Sequence, residues 1–216
     1  MSLGVRRRLG ILLSGRGSNF EAIARNVLAG KLECDIGFVF SNRPNAPGLA
    51  MAREFGFPCG SLETKGVERE NYDRQVVTIL QEHRVDLVCL AGYMRLLSGY
   101  FVSAFSGKIL NIHPSLLPAF PGLDAQYQAL AHGVKITGCT VHFVDEQLDS
   151  GPILRQASVP VLDDDTAESL SARILVEEHR IYSEAIRWVL KGNYRIEGRR
   201  VIETETASSC SNVFSP

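Results

Sequence analysis

The sequence predicts an α/β fold: a Rossmann-like, mainly parallel sheet with helices on both faces. Three observations carry this expectation. Short apolar runs alternate with longer segments whose apolar residues recur every three to four positions. The first apolar run ends in a glycine-rich turn that opens into a helix. Turn signals such as Gly30, Ser41-Asn42-Arg43-Pro44 and Gly56 then fall between these segments.

In chain order, 9–14 reads as a short buried strand, broken by Gly15-Arg16-Gly17-Ser18. Residues 19–29 show helical spacing through Phe20, Ile23, Val27 and Leu28, and Gly30 is a natural stop. A second strand at 36–40 ends at Ser41-Asn42-Arg43-Pro44, and a helix at 46–55 closes on Gly56. The segment 70–83 carries Tyr72, Val76, Val77 and Leu80 on one stripe, and the strongly apolar 85–91 is the next strand. A short helix at 98–105 and a strand at 108–112 follow, after which Pro114, Pro118 and Pro121 force an extended loop. Residues 125–131 read as helix. The runs 136–144 and 153–161 read as strands joined by the acidic loop 145–151. A long amphipathic helix spans 166–190 with Thr166 as N-cap, and 193–202 reads as a small hairpin. With no repeat and no low-complexity linker, residues 1–203 are expected to form one domain. Its lobes are 8–105 and 106–203, and the Ser- and Thr-rich 204–216 is expected to be a flexible tail.

Composition narrows the function. A chain of 216 residues suffices for a single α/β domain with a sizeable core. Lys and Arg total 23 against 24 Asp and Glu, so the net charge is -1. That balance argues against the broad basic footprint of a nucleic-acid binder, though not against one local phosphate pocket. No apolar run approaches the roughly 20 residues of a membrane span. The apolar stretch after the arginine-bearing N-terminus is too short for a signal peptide. The five cysteines (Cys34, Cys59, Cys89, Cys139, Cys210) are widely spaced and form no C-x-x-C. They are expected to be reduced thiols, mostly core filler, in a cytoplasmic protein. His83, His113, His132, His142 and His179 show no ligand spacing, so no metal is expected.

Two segments carry chemistry. Ser14-Gly15-Arg16-Gly17-Ser18-Asn19 lies between a strand and a helix. Its glycines admit a ligand close to the backbone, and free N–H groups at a helix start attract an anion. The simpler reading is a tight turn with Ser18 or Asn19 as N-cap. In Leu110-Asn111-Ile112-His113-Pro114, Asn111 and His113 are two apart on a strand and point to the same side. An amide donor and an imidazole presented together at a strand end suit a carbonyl under attack, the one binding an oxyanion and the other relaying a proton. Against this stands a structural Asn with a satisfied His. A carboxylate from the loop 145–151 would favour the chemical reading, and spacing leaves Asp145, Glu146 and Asp149 equally eligible.

These segments, with Ser41-Asn42, Leu90-Ala91-Gly92-Tyr93-Met94-Arg95-Leu96-Leu97-Ser98, His113-Pro114-Ser115-Leu116-Leu117-Pro118 and Glu178-His179, carry a resemblance running from about Leu9 to Leu190. The sequence resembles the phosphoribosylglycinamide formyltransferases, a branch of the folate-dependent formyltransferase superfamily. The resemblance implies the formyltransferase fold. It also implies two substrates, 10-formyltetrahydrofolate and glycinamide ribonucleotide, and a monomer or homodimer. By position it implies that Asn111, His113 and Asp149 are catalytic, which selects among the acids. Gly17, Ser18 and Asn19 would cradle the substrate phosphate, and Glu178 would bind the ribose. Arg69, Met94, Arg95, Leu96, Leu97, Asn111 and the loop Asp145, Glu146, Gln147, Leu148, Asp149 would hold the folate. Two departures stand out: Leu175 occupies a place where some relatives have a polar phosphate contact, and Asp124-Ala125-Gln126 one where several carry histidines.

Other functions were weighed. A deformylase would use the same trio with water as acceptor, and methionyl-tRNA formyltransferase belongs to the same superfamily. The first carries an added N-terminal domain and the second an added C-terminal one, and neither is expected here. A non-catalytic nucleotide- or folate-binding module would be favoured by a missing member of the trio, and all three are present.

Overall fold

The computed structural model describes residues 6–64 and 66–204. The elements run β1 (Arg8–Leu13), α1 (Ser18–Leu28), β2 (Asp35–Ser41), α2 (Pro47–Glu54), β3 (Cys59–Ser61), α3 (Arg69–Glu82), β4 (Leu87–Leu90), α4 (Gly99–Ala104) and β5 (Ile109–His113). They continue with α5 (Ala125–Ala131), β6 (Ile136–Phe143), β7 (Ile153–Pro160), α6 (Ala167–Lys191), β8 (Tyr194–Glu197) and β9 (Arg200–Glu203). Among the described residues the strands form one sheet in the order β3-β2-β1-β4-β5-β6-β7-β9-β8.

From β3 to β5 every pairing is parallel, as βαβ crossovers require. After β5 the sheet turns antiparallel through β6 and β7. Alternate residues feed two cores. Ile11, Leu13, Val39, Cys89 and Leu110 face one side, under α1, α2 and α6. Leu12, Phe38, Phe40, Val88, Leu90 and Ile109 face the other, under α3 and α4. Strands buried on both faces read as continuous apolar runs, which is why β1 and β4 were conspicuous in the sequence. Strand β3, not expected, is three residues of Cys-Gly-Ser with no apolar pattern, placed by its pairing to β2.

Helix α6 is set by its ends. Thr166 and Ser169 form a reciprocal capping box, and Gly192 closes the helix with φ 73. Its buried Tyr182 hydroxyl lies 3.0 Å from the Leu90 carbonyl and 3.1 Å from that of Leu110, tying the helix to β4 and β5 just before they emerge at the site. The hairpin β8–β9 docks on β7 through Ile153 and Arg200. Tyr194 stacks on Trp188 and Phe143, and Arg199 Nη1 donates to Ser150 Oγ at 2.9 Å. Cys34, Cys89 and Cys139 are buried and free, and burial pushes the Cys34 and Cys139 thiols up to about 12. Cys210 and nearly all of the expected tail lie outside the described residues. Among the described residues no helix is long and apolar enough to cross a membrane.

Candidate active site

The site lies where the parallel strands end. Ser14, just past β1, joins three loops: its hydroxyl donates to Asn42 Oδ1 at 2.5 Å and accepts from Met94 N at 2.8 Å. Gly17 follows with φ 80, a conformation open to glycine, and a Cβ there would stand 3.1 Å from Gly48 Cα. The N-cap of α1 is Gly17, not Ser18 or Asn19, and no side chain caps the helix. Its first N–H groups therefore stay open to an anion. Asn19 instead turns inward, and its Nδ2 donates to Glu178 Oε2 at 2.7 Å. Both are buried. Burial raises the Glu178 pKa, and the Asn19 hydrogen bond partly opposes the shift.

Asn111 and His113 leave β5 on one face, as their spacing predicts, and the loop after β6 folds back to bring Asp149 between them. His113 is 5% exposed and the Asp149 side chain 9%, so their interaction is little screened. His113 Nδ1 stands 3.4 Å from Asp149 Oδ2, and Asn111 Nδ2 lies 3.5 Å from Asp149 Oδ1. Gly122 N donates to Asp149 Oδ2 at 2.8 Å, latching the loop after β5 to the loop after β6. His113 Nε2 lies 2.9 Å from the Phe120 carbonyl. Both ring nitrogens thus face oxygen atoms, and Nε2, beside a carbonyl that can only accept, carries a proton. Phe120, Asp124 and Asp149 have φ of 53, 56 and 48. Each is a non-glycine in the left-handed region, at a cost of about 1–3 kcal/mol, and such residues gather at functional sites.

Sequence reasoning missed two contributors here. His142 lies across the β5–β6 ladder from Asn111, with Nε2 3.1 Å from Asn111 Nδ2. Thr140 lies opposite His113; its Oγ1 donates to Ser115 O and accepts from Leu117 N and Gln156, holding the proline loop. Only the strand register reveals either.

The expected folate wall is partly assembled. Met94, Leu96 and Leu148 are more than half exposed, an uncommon state for three large apolar side chains on loops that meet. Those loops approach at Gly99, where a Cβ would stand 3.4 Å from Glu146 Oε1, and the loop after β5 approaches the same wall at Gly122, where a Cβ would stand 3.8 Å from Leu148. Leu97 is half-buried against the α3/α4 core, and Arg95 lies flat over Tyr72 at 4.3 Å. Asp145 and Gln147 serve the loop itself: Asp145 Oδ1 accepts from Gln147 N, and Gln147 Oε1 from Ser150. Arg69 is the exposed first residue of α3, and among the described residues no hydrogen bond or ion pair joins it to the other site residues. Among the described residues no group of three or more His, Cys, Asp or Glu is placed to hold a metal ion.

The formyl transferase family matches residues 7–186, and the chain belongs to that family. Phosphoribosylglycinamide formyltransferase of Escherichia coli strain K12 is 42% identical over 187 residues, covering 86% of this chain and 88% of that protein. The crystal structure of glycinamide ribonucleotide transformylase 1 from Symbiobacterium toebii matches with a TM-score of 0.91 and 51% identity, covering 94% of this chain and 96% of that one. Within the family the chain therefore falls among the phosphoribosylglycinamide formyltransferases. It is also 45% identical over 190 residues to the trifunctional purine biosynthetic protein adenosine-3 of Drosophila melanogaster, of whose length it spans 14%.

Proposed function

We propose that this chain transfers the formyl group of 10-formyltetrahydrofolate to the amine of glycinamide ribonucleotide, giving formylglycinamide ribonucleotide and tetrahydrofolate in de novo purine synthesis. The observation that carries the reading is the convergence of Asn111 and His113 on Asp149 at the end of β5. The amine nitrogen attacks the formyl carbon, and its oxygen takes negative charge. Asn111 supplies an N–H donor to that oxygen, and His113 a second once its Nε2–H turns from the Phe120 carbonyl. As the bond from carbon to N10 breaks, a proton must leave the amine and reach N10, and Asp149, with His113, is the group that can carry it.

The open N-terminus of α1 with Gly17, Ser18 and Asn19 takes the phosphate, and Glu178 the ribose hydroxyls. The exposed Met94, Leu96 and Leu148, with Leu97, Arg95, Arg69 and the loop 145–149, enclose the folate. Residues 1–203 act as one catalytic domain, phosphate-binding in 8–105 and folate-binding in 106–203. The enzyme works in the cytoplasm, as a monomer or homodimer. The test is the absorbance change on loss of the formyl group from 10-formyl-folate, with and without glycinamide ribonucleotide. Consumption is expected to require the ribonucleotide; equal rates in its absence would make the protein a hydrolase.

A further inference from the structure

Asn111 works only if its amide presents the NH2 group, and not the oxygen, to the reacting centre. Rotation of the amide by half a turn costs nothing sterically and exchanges donor for acceptor. Something must set the choice, and His142 can do so. It is 2% exposed and lies directly opposite Asn111 in the antiparallel ladder, so the two side chains share a face.

A backbone carbonyl sets the tautomer of His142. His142 Nδ1 lies 2.9 Å from the Phe143 carbonyl oxygen, which can only accept, so Nδ1 carries a proton. Around the ring stand Asp149, whose Oδ1 is 3.7 Å from Nε2, together with Asp145 and His113. The two carboxylates favour a charged ring and His113 opposes it. Burial outweighs them and lowers the His142 pKa, so the ring is neutral and Nε2 is bare. A bare Nε2 at 3.1 Å demands a donor from Asn111. The flipped amide would set oxygen against a lone pair, both desolvated.

We infer that His142 is a positioning residue: its bare Nε2 takes one Asn111 N–H and so fixes the carboxamide with the NH2 toward Asp149, and the second N–H, held only by the long 3.5 Å contact to Asp149 Oδ1, is the one that turns to the formyl oxygen. This rests on the role proposed above for Asn111, and His142 acts only through it. A protonated His142 would reverse the arrangement, donating to Asp149 and repelling the amide.

The test compares His142→Phe and His142→Gln in the wild-type and Asn111→Ala backgrounds. His142→Phe keeps the ring and removes the acceptor. It should lower kcat about tenfold or more, with KM for both substrates within about threefold. His142→Gln, whose Oε1 can accept from the same amide, should recover most of that loss. In Asn111→Ala, itself slowed about a hundredfold, His142→Phe should change kcat by less than about twofold, because the partner is gone. Imidazole 15N shifts of the wild-type protein at neutral pH should show a neutral ring protonated at Nδ1; this measurement holds even where the Phe variant does not fold. Equal losses in both backgrounds, a loss confined to KM, a Gln variant as slow as Phe, or a ring protonated at Nε2 would each overturn the inference. Should Asn111→Ala retain full kcat, the functional reading would fall with it; a slow Asn111→Ala with additive His142 effects sinks the inference alone.

Discussion

Asp149→Asn tests the proposed chemistry with the least structural disturbance. The wild-type carboxylate has four neighbours: Gly122 N at 2.8 Å, His113 Nδ1 at 3.4 Å, Asn111 Nδ2 at 3.5 Å and His142 Nε2 at 3.7 Å. An amide of the same shape can keep its oxygen at the Oδ2 position, still accepting from Gly122 N and still facing His113 Nδ1. The latch between the two loops survives, and so should the fold. What is lost is the negative charge beside His113 and any capacity to take a proton. The new NH2 also stands where Oδ1 was, donor against donor with Asn111. Removing one such preorganised group typically costs a hundred- to a thousandfold in kcat, about 2.7–4 kcal/mol in the barrier. Stability should change by no more than about 1 kcal/mol, or roughly 2–4 °C in Tm for a domain of this size. Steady-state kinetics with both substrates, beside a thermal melt, separate the two effects. A kcat within about threefold of wild type would refute the role of Asp149; a collapse of Tm would mean that the carboxylate is chiefly structural.

Asn19→Asp would set a second carboxylate 2.7 Å from Glu178 and a charge at the phosphate cradle; KM for the ribonucleotide should rise steeply while that for folate stays near wild type. Glu178→Gln separates binding from stability. The folded-state pKa of Glu178 is raised, so its contribution to stability is full below the ordinary glutamate range and is lost as pH rises through the raised value. The Gln variant should therefore melt above wild type near neutral pH, by roughly 2–4 °C for each kcal/mol that the buried charge costs, and the gap should close in acid, while KM for the ribonucleotide rises. Gly151→Ala would drive a Cβ to 1.8 Å from the Phe143 carbonyl oxygen, so the backbone must shift. We expect a loss of about 1–3 kcal/mol in a melt, together with a fall in kcat as Asp149 moves.

How far the sequence could be read depends on the range of the interaction. Asn111 and His113 were legible because a period of two is local to one strand. The choice of Asp149 over Asp145 and Glu146 was not, because it depends on how the loop folds back over the β5–β6 ladder and on a left-handed φ at Asp149. His142 was passed over for a related reason: its partnership with Asn111 exists only in the antiparallel register. The pairing of Asn19 with Glu178 spans 159 positions and follows from α1 lying on α6; resemblance alone brought the two together beforehand. The cap of α1 was misread since Ser and Asn commonly cap helices, but here Asn19 has a buried carboxylate to meet instead.

The hairpin at the sheet edge gives a late-made segment of the chain a hold on the chemistry. Arg199 touches Ser150, the neighbour of Asp149, and Tyr194 lies against Phe143, from which the acidic loop departs. During synthesis every group of the trio has emerged well before this hairpin, yet the loop that carries Asp149 lacks its outer support until the hairpin docks. A ribosome-bound chain, or one nicked by a protease near Gly192, would hold all the reacting groups without this brace. The acid is thus steadied by a segment that follows all three reacting groups in the chain.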